Sequence, residues 1–534
     1  MDPCARWLSP LVLALGLLAA PALGGCTSSD VDRGGDASTT TTSTTTGTGT
    51  GIPPTTDCPG KLDPIDPTGQ LETVGDGTAA SCTEAALRTA VDTLNAVPTG
   101  GTIQFNCGGA ATITVTSELS VQGTLMIDGG GQVTLSGGGA TRIINVANYG
   151  NLVVERLTMS NGLAPDNGGA IYFQWFGTLK AIDVHFVSNH CTSMAGEIGG
   201  GAVNAGGLSE ATFSGCVFEG NSASNGGGLF NRSSALTVID CLFDGNQALG
   251  VGDGQFGNGG GLYIDGLCDS GEHPTCPANF MMCGTEFRNN VAYGSGTGAF
   301  TWFYPDTASF IDRCTFDGNT SEGSPTGGSA TLYHGNGPLT LANTTISNNT
   351  IASSGQAAGL FMDSTPGTTA QISNCTFANN SVPTGNGAAI FDTSDPITVE
   401  NTTFAGNEAD YGPAVFQGDS ASITYKNCVF WNNTTQNQYS AVACNAAGTD
   451  GGGNIQWPET KPNSGNPDAP CVDGIAFADA LLGALGDNGG PTATMALGAG
   501  SPAIDLATGC PTTDQRGLPR STPSCDSGAF EVQP

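Results

Sequence analysis

The sequence predicts an all-β chain wound as a parallel β-helix, with a helical cap at its start and a small capping module at its end. Three observations predict it. A short phrase recurs, as CVFEGN from Cys216, CLFDGN from Cys241, CTFDGN from Cys314, CTFANN from Cys375 and CVFWNN from Cys428. Glycine occurs 82 times in 534 residues, and charged residues make up only 11%, against roughly 25% in an average globular protein. Thr, Val, Ile, Phe and Asn-Gly pairs are plentiful, which suits short strands joined by tight turns and leaves amphipathic helices little to work with.

The repeat can be read position by position. Aligned on its aromatic, the chain gives Phe186, Phe218, Phe243, Phe287, Phe316, Ile346, Phe377, Phe404 and Phe430, spaced mostly 25 to 32 residues apart with one gap of 44. A period of this size marks a solenoid. Seven and five residues before the aromatic stand apolar side chains, such as Leu236 and Val238, Leu339 and Leu341, Ile397 and Val399, or Ile423 and Tyr425. Three residues before it stands Asp183, Asp240, Asn343, Asn374, Asn401 or Asn427. Apolar parity changes across that residue, so the chain bends there, and stacked copies can pass amide hydrogen bonds from coil to coil. Beyond the corner the Cys or Thr and the Phe share a parity and point inward. A second motif closes each coil: GGAIYF from Gly168, GGAVNA from Gly200, GGLFNR from Gly227, GGLYID from Gly260, AGLFMD from Ala358 and GAAIFD from Gly387. Its expected inward residues are Ile171, Phe230, Tyr263, Phe361 and Ile390. Three short strands and three bends per repeat make one rung of a parallel β-helix, with rungs roughly 4.8 Å apart.

Over residues 165 to 435 the alternation of GGA-apolar with FxxN resembles the repeats of bacterial polymorphic outer-membrane proteins, within the class of right-handed parallel β-helix proteins. The resemblance implies right-handed winding and an exported, often adhesive, surface protein. The chain departs from the full-length family in lacking an obvious C-terminal run of membrane-barrel strands. Its end, LGDNGGPTATMALGAGSPAID with DQRGLPR and CDSGAFE, resembles the choice-of-anchor Q module from about Leu481 to Glu531, which implies a surface location.

Five segments follow. Residues 1–25 read as a signal peptide: Arg6 precedes LVLALGLLAAPAL, too short to span a bilayer, and LGGC resembles a lipobox whose Cys26 would be lipidated. Thr27 is not the Asp that retains such proteins at the inner membrane, so the expected location is the outer membrane and cell surface, with plain secretion as the alternative. Residues 26–57 form a low-complexity Thr/Ser/Gly linker. Residues 58–100 form an N-terminal cap. There a capping-box spacing from Ser81 to Glu84 opens a helix with Ala86, Leu87, Ala90, Val91, Leu94 and Val97 on one face. Such a helix covers the exposed edge of the first coil. Residues 101–440 are the β-helix and 441–534 the C-terminal module.

The formal net charge of −33 repels polyanions, so no nucleic-acid partner is expected. The only cofactor this acidity suits is Ca2+, although no aspartate-rich calcium loop appears. Setting aside Cys4 and Cys26 leaves 16 of the 18 cysteines, an even number suited to an oxidising compartment. The expected disulfides are Cys82 with Cys107, Cys444 with Cys471, and Cys510 with Cys525. Cys216 and Cys241, on adjacent coils, are either bonded or stacked, and Cys268, Cys276 and Cys283 staple the long insertion with one left for a partner elsewhere. Zinc is disfavoured, because Thr344 and Thr402 alternate with the cysteines and cannot replace a thiolate.

Candidate chemistry is confined to one row, Asp265, Trp302, His334, Asp363, Asp392 and Gln417, placed after the GG strand of successive coils. In this register Asp363 and Asp392 are neighbours near 5 Å, a separation that a retaining glycosidase uses, with His334 alongside and Trp302, Asp265 and Gln417 binding a sugar. The ordinary alternative is a solvated row of acids facing water. No string matching galacturonases or pectin methylesterases is present, so the leading expectation is a monomeric, lipid-anchored surface β-helix that binds a glycan or a host or neighbour-cell ligand. The alternatives are a polysaccharide lyase or hydrolase of the same fold, and a structural envelope component.

Overall fold

The computed structural model describes residues 58–534 apart from 197, 208–209, 233–234, 251–256, 267–278, 304–307, 322–329, 353–354, 364–368 and 394–395. Cys26, the linker, Cys268 and Cys276 lie outside the described residues. A representative coil runs through strands Ala235–Ile239, Leu242–Asp244, Gln247–Ala248 and Leu262–Asp265, each paired in parallel with its counterpart one coil away. Stacking builds three walls. Among the described residues sheet A has 25 strands, sheet B has 11 of three or four residues, and sheet C has 9, most of them dipeptides. Parallel crossovers wind right-handed, and the result is an all-β, right-handed parallel β-helix of about 13 turns.

Each bend has a local cause. The corner residues Asp183, Asp240, Asn343, Asn374, Asn401 and Asn427 all take φ between 46° and 56°. Asn and Asp tolerate this left-handed region better than other non-glycine residues, so the corner is written into the side-chain choice. Past the corner, Phe186, Phe218, Phe243 and Phe287 stack with ring centroids 4.5 to 4.8 Å apart and no solvent exposure. Buried aromatics supply much of the core's apolar area.

The next turn holds a buried polar ladder, Asn189, Asn221, Asn246, Asn290, Asn319, Asn349, Asn380, Asn407 and Asn433. From Asn189 to Asn407 each Nδ2 donates to Oδ1 of the following asparagine at 2.9 to 3.0 Å. The same Nδ2 also donates to a main-chain carbonyl of the preceding coil, as Asn319 does to Phe287 at 2.9 Å. The FxxN asparagine, more than the corner residue, is therefore the main coil-to-coil relay.

The repeated cysteines line the core as thiols. Cys216, Cys241, Cys314, Cys375 and Cys428 are buried and free, so the adjacent Cys216 and Cys241 are stacked and unbonded. Burial pushes the Cys314, Cys375 and Cys428 thiols up to about 12, which removes the thiolate that metal binding needs. Disulfides join Cys82 to Cys107, Cys444 to Cys471 and Cys510 to Cys525, with Cα atoms 5.6, 5.2 and 6.5 Å apart. Cys283 pairs with Cys58, 225 residues earlier.

The helix spans Glu84–Asn95 and buries Leu87, Ala90, Val91 and Leu94 over the first coil. Its N-cap is Thr83, whose Oγ1 accepts from Ala86 at 3.2 Å. Ser81 cannot serve in that role, because its hydroxyl accepts from the Asp76 N–H at 2.8 Å. The segment that starts at Cys58 and the C-terminal segment both run along the outside of sheet A. From Cys58 the chain descends past Asp240, paired to Lys61 at 2.7 Å, and past Glu155, which accepts from the Ile65 N–H at 2.8 Å. At the other end, Gln515 donates to Thr345 at 2.7 Å, Arg520 to Asn374 at 2.9 Å, and the Ala529 N–H to Thr403 at 3.0 Å.

Replacing Asn319 with Ala strips partners from Asn290, Asn349 and the Phe287 carbonyl at once. The expected loss is about 3 kcal/mol, read as a lower urea midpoint, whereas Gln371→Ala on the exposed side of sheet A stays within about 0.5 kcal/mol. Equal midpoints for the two variants would remove the ladder from its structural role.

Candidate functional site

Sheet B carries the candidate residues. Side chains alternate across a strand, so its first and third positions face the core and its second and fourth face out. The first positions, Leu229, Leu262, Ala299, Leu332, Leu360 and Ile390, have no solvent exposure. The second positions are aromatic in seven consecutive coils: Phe230, Tyr263, Phe300, Tyr333, Phe361, Phe391 and Phe416. Their rings stand in register 4.6 to 5.1 Å apart and within 16° of parallel. Phe230, Tyr263 and Phe361 therefore stand on the outer side of the wall, against the inward placement expected from sequence, and there Phe230, Tyr333, Phe361 and Phe391 pack one another down to 2 to 8% exposure. The reason is that these strands are apolar on both sides, so apolarity alone does not fix parity; Leu229, Leu262 and Leu360 fill the core.

The same one-residue slip divides the expected polar row between two ladders. The fourth positions, facing out, are Arg232, Asp265, Trp302, Gly335 and Asp363. The third positions, facing in, are Asn231, Ile264, Thr301, His334, Met362, Asp392 and Gln417. Asp363 pairs in register with Gly335, and Asp392 with Met362. The two aspartates thus project to opposite sides of the wall and make no catalytic pair.

His334 is also an interior residue. It has no solvent exposure, with Nε2 2.9 Å from the Gly337 carbonyl and Nδ1 3.1 Å from Thr301 Oγ1. Burial lowers its pKa to about 4, so the ring is neutral at pH 7 and sealed from any substrate. Asp392 is equally enclosed, at 0% exposure. Gln417 donates from Nε2 to the Ala421 carbonyl at 2.7 Å, which turns its amide into a local loop brace.

The outward ladder is where recognition chemistry remains. Trp302 is half-buried, and its indole lies flat over Gly335, where a Cβ would come within 2.4 Å of the ring. Its centroid is 6.4 Å from that of Tyr333, with 22° between the planes. The Tyr333 hydroxyl donates to Asp363 Oδ2, and burial, with that carboxylate beside it, pushes the phenol pKa well up. The Asp363 carboxylate is thus held in place, half-exposed, next to the indole. Asp265 precedes Trp302 in the same ladder. Among the described residues no three His, Cys, Asp or Glu side chains gather as metal ligands would. An indole face, fixed carboxylates and a stripe of ring edges can hold a ligand by stacking and hydrogen bonding.

Sequence reasoning missed Phe300, Tyr333, Phe391 and Phe416. Their signal was present in GAF, TLY, AIF and AVF, where the aromatic follows the small or aliphatic residue that enters the core.

The family described as right handed beta helix region matches residues 258–450. Two solved structures of PfbA, a surface adhesin of Streptococcus pneumoniae, are similar at 11% identity. The first covers 80% of this chain and 99% of that one with a TM-score of 0.34, and the second covers 74% and 95% with 0.32. No curated protein matches.

The buried imidazole gives a pH signature. Because the folded pKa is depressed to about 4 from an unfolded 6.5, its contribution is present above pH 6.5 and is lost as pH falls toward 4. Between pH 7 and pH 5 the wild-type chain should lose about 2 kcal/mol more denaturation free energy than His334→Met. Parallel pH profiles for the two chains would show that the imidazole titrates freely.

Proposed function

We propose that the chain is a non-catalytic, surface-displayed binding protein whose sheet B presents an extended site for a glycan. The observation that carries this reading is the half-buried Trp302 indole, with Asp265 and the Tyr333-held Asp363 beside it along the edge of the packed aromatic ladder. The ladder rings cover one another's faces, so the Trp302 indole is the aromatic surface offered to the C–H side of a sugar ring, and the flanking carboxylates accept hydrogen bonds from hydroxyls. The carboxylate pairing that a retaining glycosidase requires is missing, since Asp363 and Asp392 face opposite ways. Display at the outer membrane through lipidated Cys26, with the Thr/Ser/Gly linker as spacer, is supported by LGGC and by the cysteine pairing suited to an oxidising compartment. The repeat and end motifs that resemble polymorphic outer-membrane proteins and the choice-of-anchor Q module point the same way.

On a glycan array the full chain should retain at least one oligosaccharide without releasing reducing ends or unsaturated products. Trp302→Ala should weaken that binding about tenfold, or about 1.4 kcal/mol. Product release abolished by Asp363→Ala would replace the binding reading with an enzymatic one. For the anchor, a fatty-acid probe should label the wild-type chain in a Gram-negative host and fail to label Cys26→Ser; equal labelling of both would place the lipid elsewhere.

A further inference from the structure

We propose that a second carbohydrate platform, built by Tyr149, Trp175 and Phe176, sits where sheet B turns into sheet A in two early coils, and that it takes the apolar face of a neutral hexopyranose. It rests on the glycan reading but uses none of the residues of the sheet B ladder. Tyr149 is 71% exposed and Trp175 42% exposed, so both present apolar ring surface to solvent.

The backbone makes the choice of residue more pointed. Tyr149 has φ 65° and Phe176 φ 54°, a left-handed region that bulky side chains rarely adopt and where glycine is the relaxed choice. Two successive coils accept this conformation with an aromatic, locked by the Tyr149 N–H donating to the Trp175 carbonyl and the Phe176 N–H to the Gly207 carbonyl, each at 2.8 Å. At Tyr149, 71% exposed, burial does not repay the outlier, which points to use of the side chain, while the less exposed Phe176 supports it from below. The Tyr149 and Phe176 rings stack 5.1 Å apart at 19°. Trp175 flanks them, 6.3 Å from Phe176 and tilted 46°, with its indole lying over Gly207, where a Cβ would collide.

The rim selects the ligand. The rings are followed or preceded in sequence by Asn151, Thr178, Gln174 and Asn145, joined by Thr178 donating to Asn151 at 2.8 Å and Gln174 to Asn145 at 3.5 Å, with the Asn145 amide also donating to Glu118 at 2.9 Å. These side chains are uncharged and offer both donors and acceptors, which matches sugar hydroxyls. Within a chain of net charge −33, such a rim favours a neutral ring over a uronate or an anionic lipid surface.

The test titrates the full chain calorimetrically with cellohexaose, maltohexaose and mannohexaose, with trigalacturonate as the charged control and phosphatidylcholine vesicles as a lipid control. At least one neutral hexaose should bind, and the controls should not. Trp175→Ala and Tyr149→Gly should each weaken that binding at least tenfold, and Tyr149→Gly should unfold at a temperature equal to or above that of wild type. A lower unfolding temperature for Tyr149→Gly would make the ring a structural element and overturn the proposal, as would vesicle binding lost in the same variants. Wild-type affinity in both corner variants, with loss in Trp302→Ala, would overturn the corner and keep the sheet B reading. Loss in the corner variants with Trp302→Ala unaffected would keep the corner and remove sheet B. Absence of neutral-sugar binding in wild type would remove both.

Discussion

Everything in the solenoid depends on coils staying in register, and the buried asparagine ladder is what enforces it. A backbone ladder alone tolerates slippage, because every coil offers the same N–H and C=O spacing. A side-chain amide with no solvent exposure does not, since an offset of one residue would leave donors and acceptors unpaired inside a low-dielectric core. Each asparagine satisfies the next one's carbonyl and a main-chain carbonyl of the coil before. Phenylalanine stacks and threonine–cysteine columns can then pack at fixed height, with the Thr285 and Thr344 hydroxyls accepting from the Cys241 and Cys314 N–H groups. Outward residues inherit the same alignment, which is why seven aromatic rings can stand over one another on sheet B.

The walls are not equivalent. Sheet A is overlaid by the segment that follows Cys58 and by the C-terminal segment. The C-terminal segment contributes Ala480, Leu482, Met495, Leu497 and Ala503 to a second apolar cluster with Ala378, Ala405, Val429 and Ile455 of sheet A. It is shaped internally by buried charges, with Arg516 paired to Asp514 at 2.7 Å and Arg520 to Glu531 at 3.3 Å, and it is fastened to sheet A by the Gln515, Arg520 and Ala529 hydrogen bonds to Thr345, Asn374 and Thr403. Buried pairs of this kind contribute little net stability but fix geometry, because separating them strands a charge. The DQRGLPR and CDSGAFE strings thus serve attachment of the segment to the solenoid.

Legibility in the sequence followed physical uniqueness. The 25 to 32 residue period, the Phe186 to Phe430 column and the Asp183 to Asn427 corners were readable, because each rests on a residue type with one good use at its position. Three disulfides were readable because their partners are close in sequence, whereas the partner of Cys283 lies 225 residues away, beyond any local rule. Parity on sheet B was not readable from apolarity. Leu262 and Tyr263 are both apolar enough for the core, and the choice between them is made by the glycine turn and by stacking on neighbouring coils. That one-residue ambiguity is the whole difference between a carboxylate pair and two unrelated aspartates.

The link from Cys58 to Cys283 also fixes where mechanical load enters the molecule. Tension on the chain ahead of Cys58 passes through the sulfur bridge into the strand Asn279–Cys283, and the coils that precede that strand lie outside the load path. Those coils cannot be peeled away one after another from their free edge. The wall at Cys283, hydrogen-bonded to strands on both sides, must shear as a unit, and the helix-capped beginning of the solenoid stays slack while the middle bears the strain.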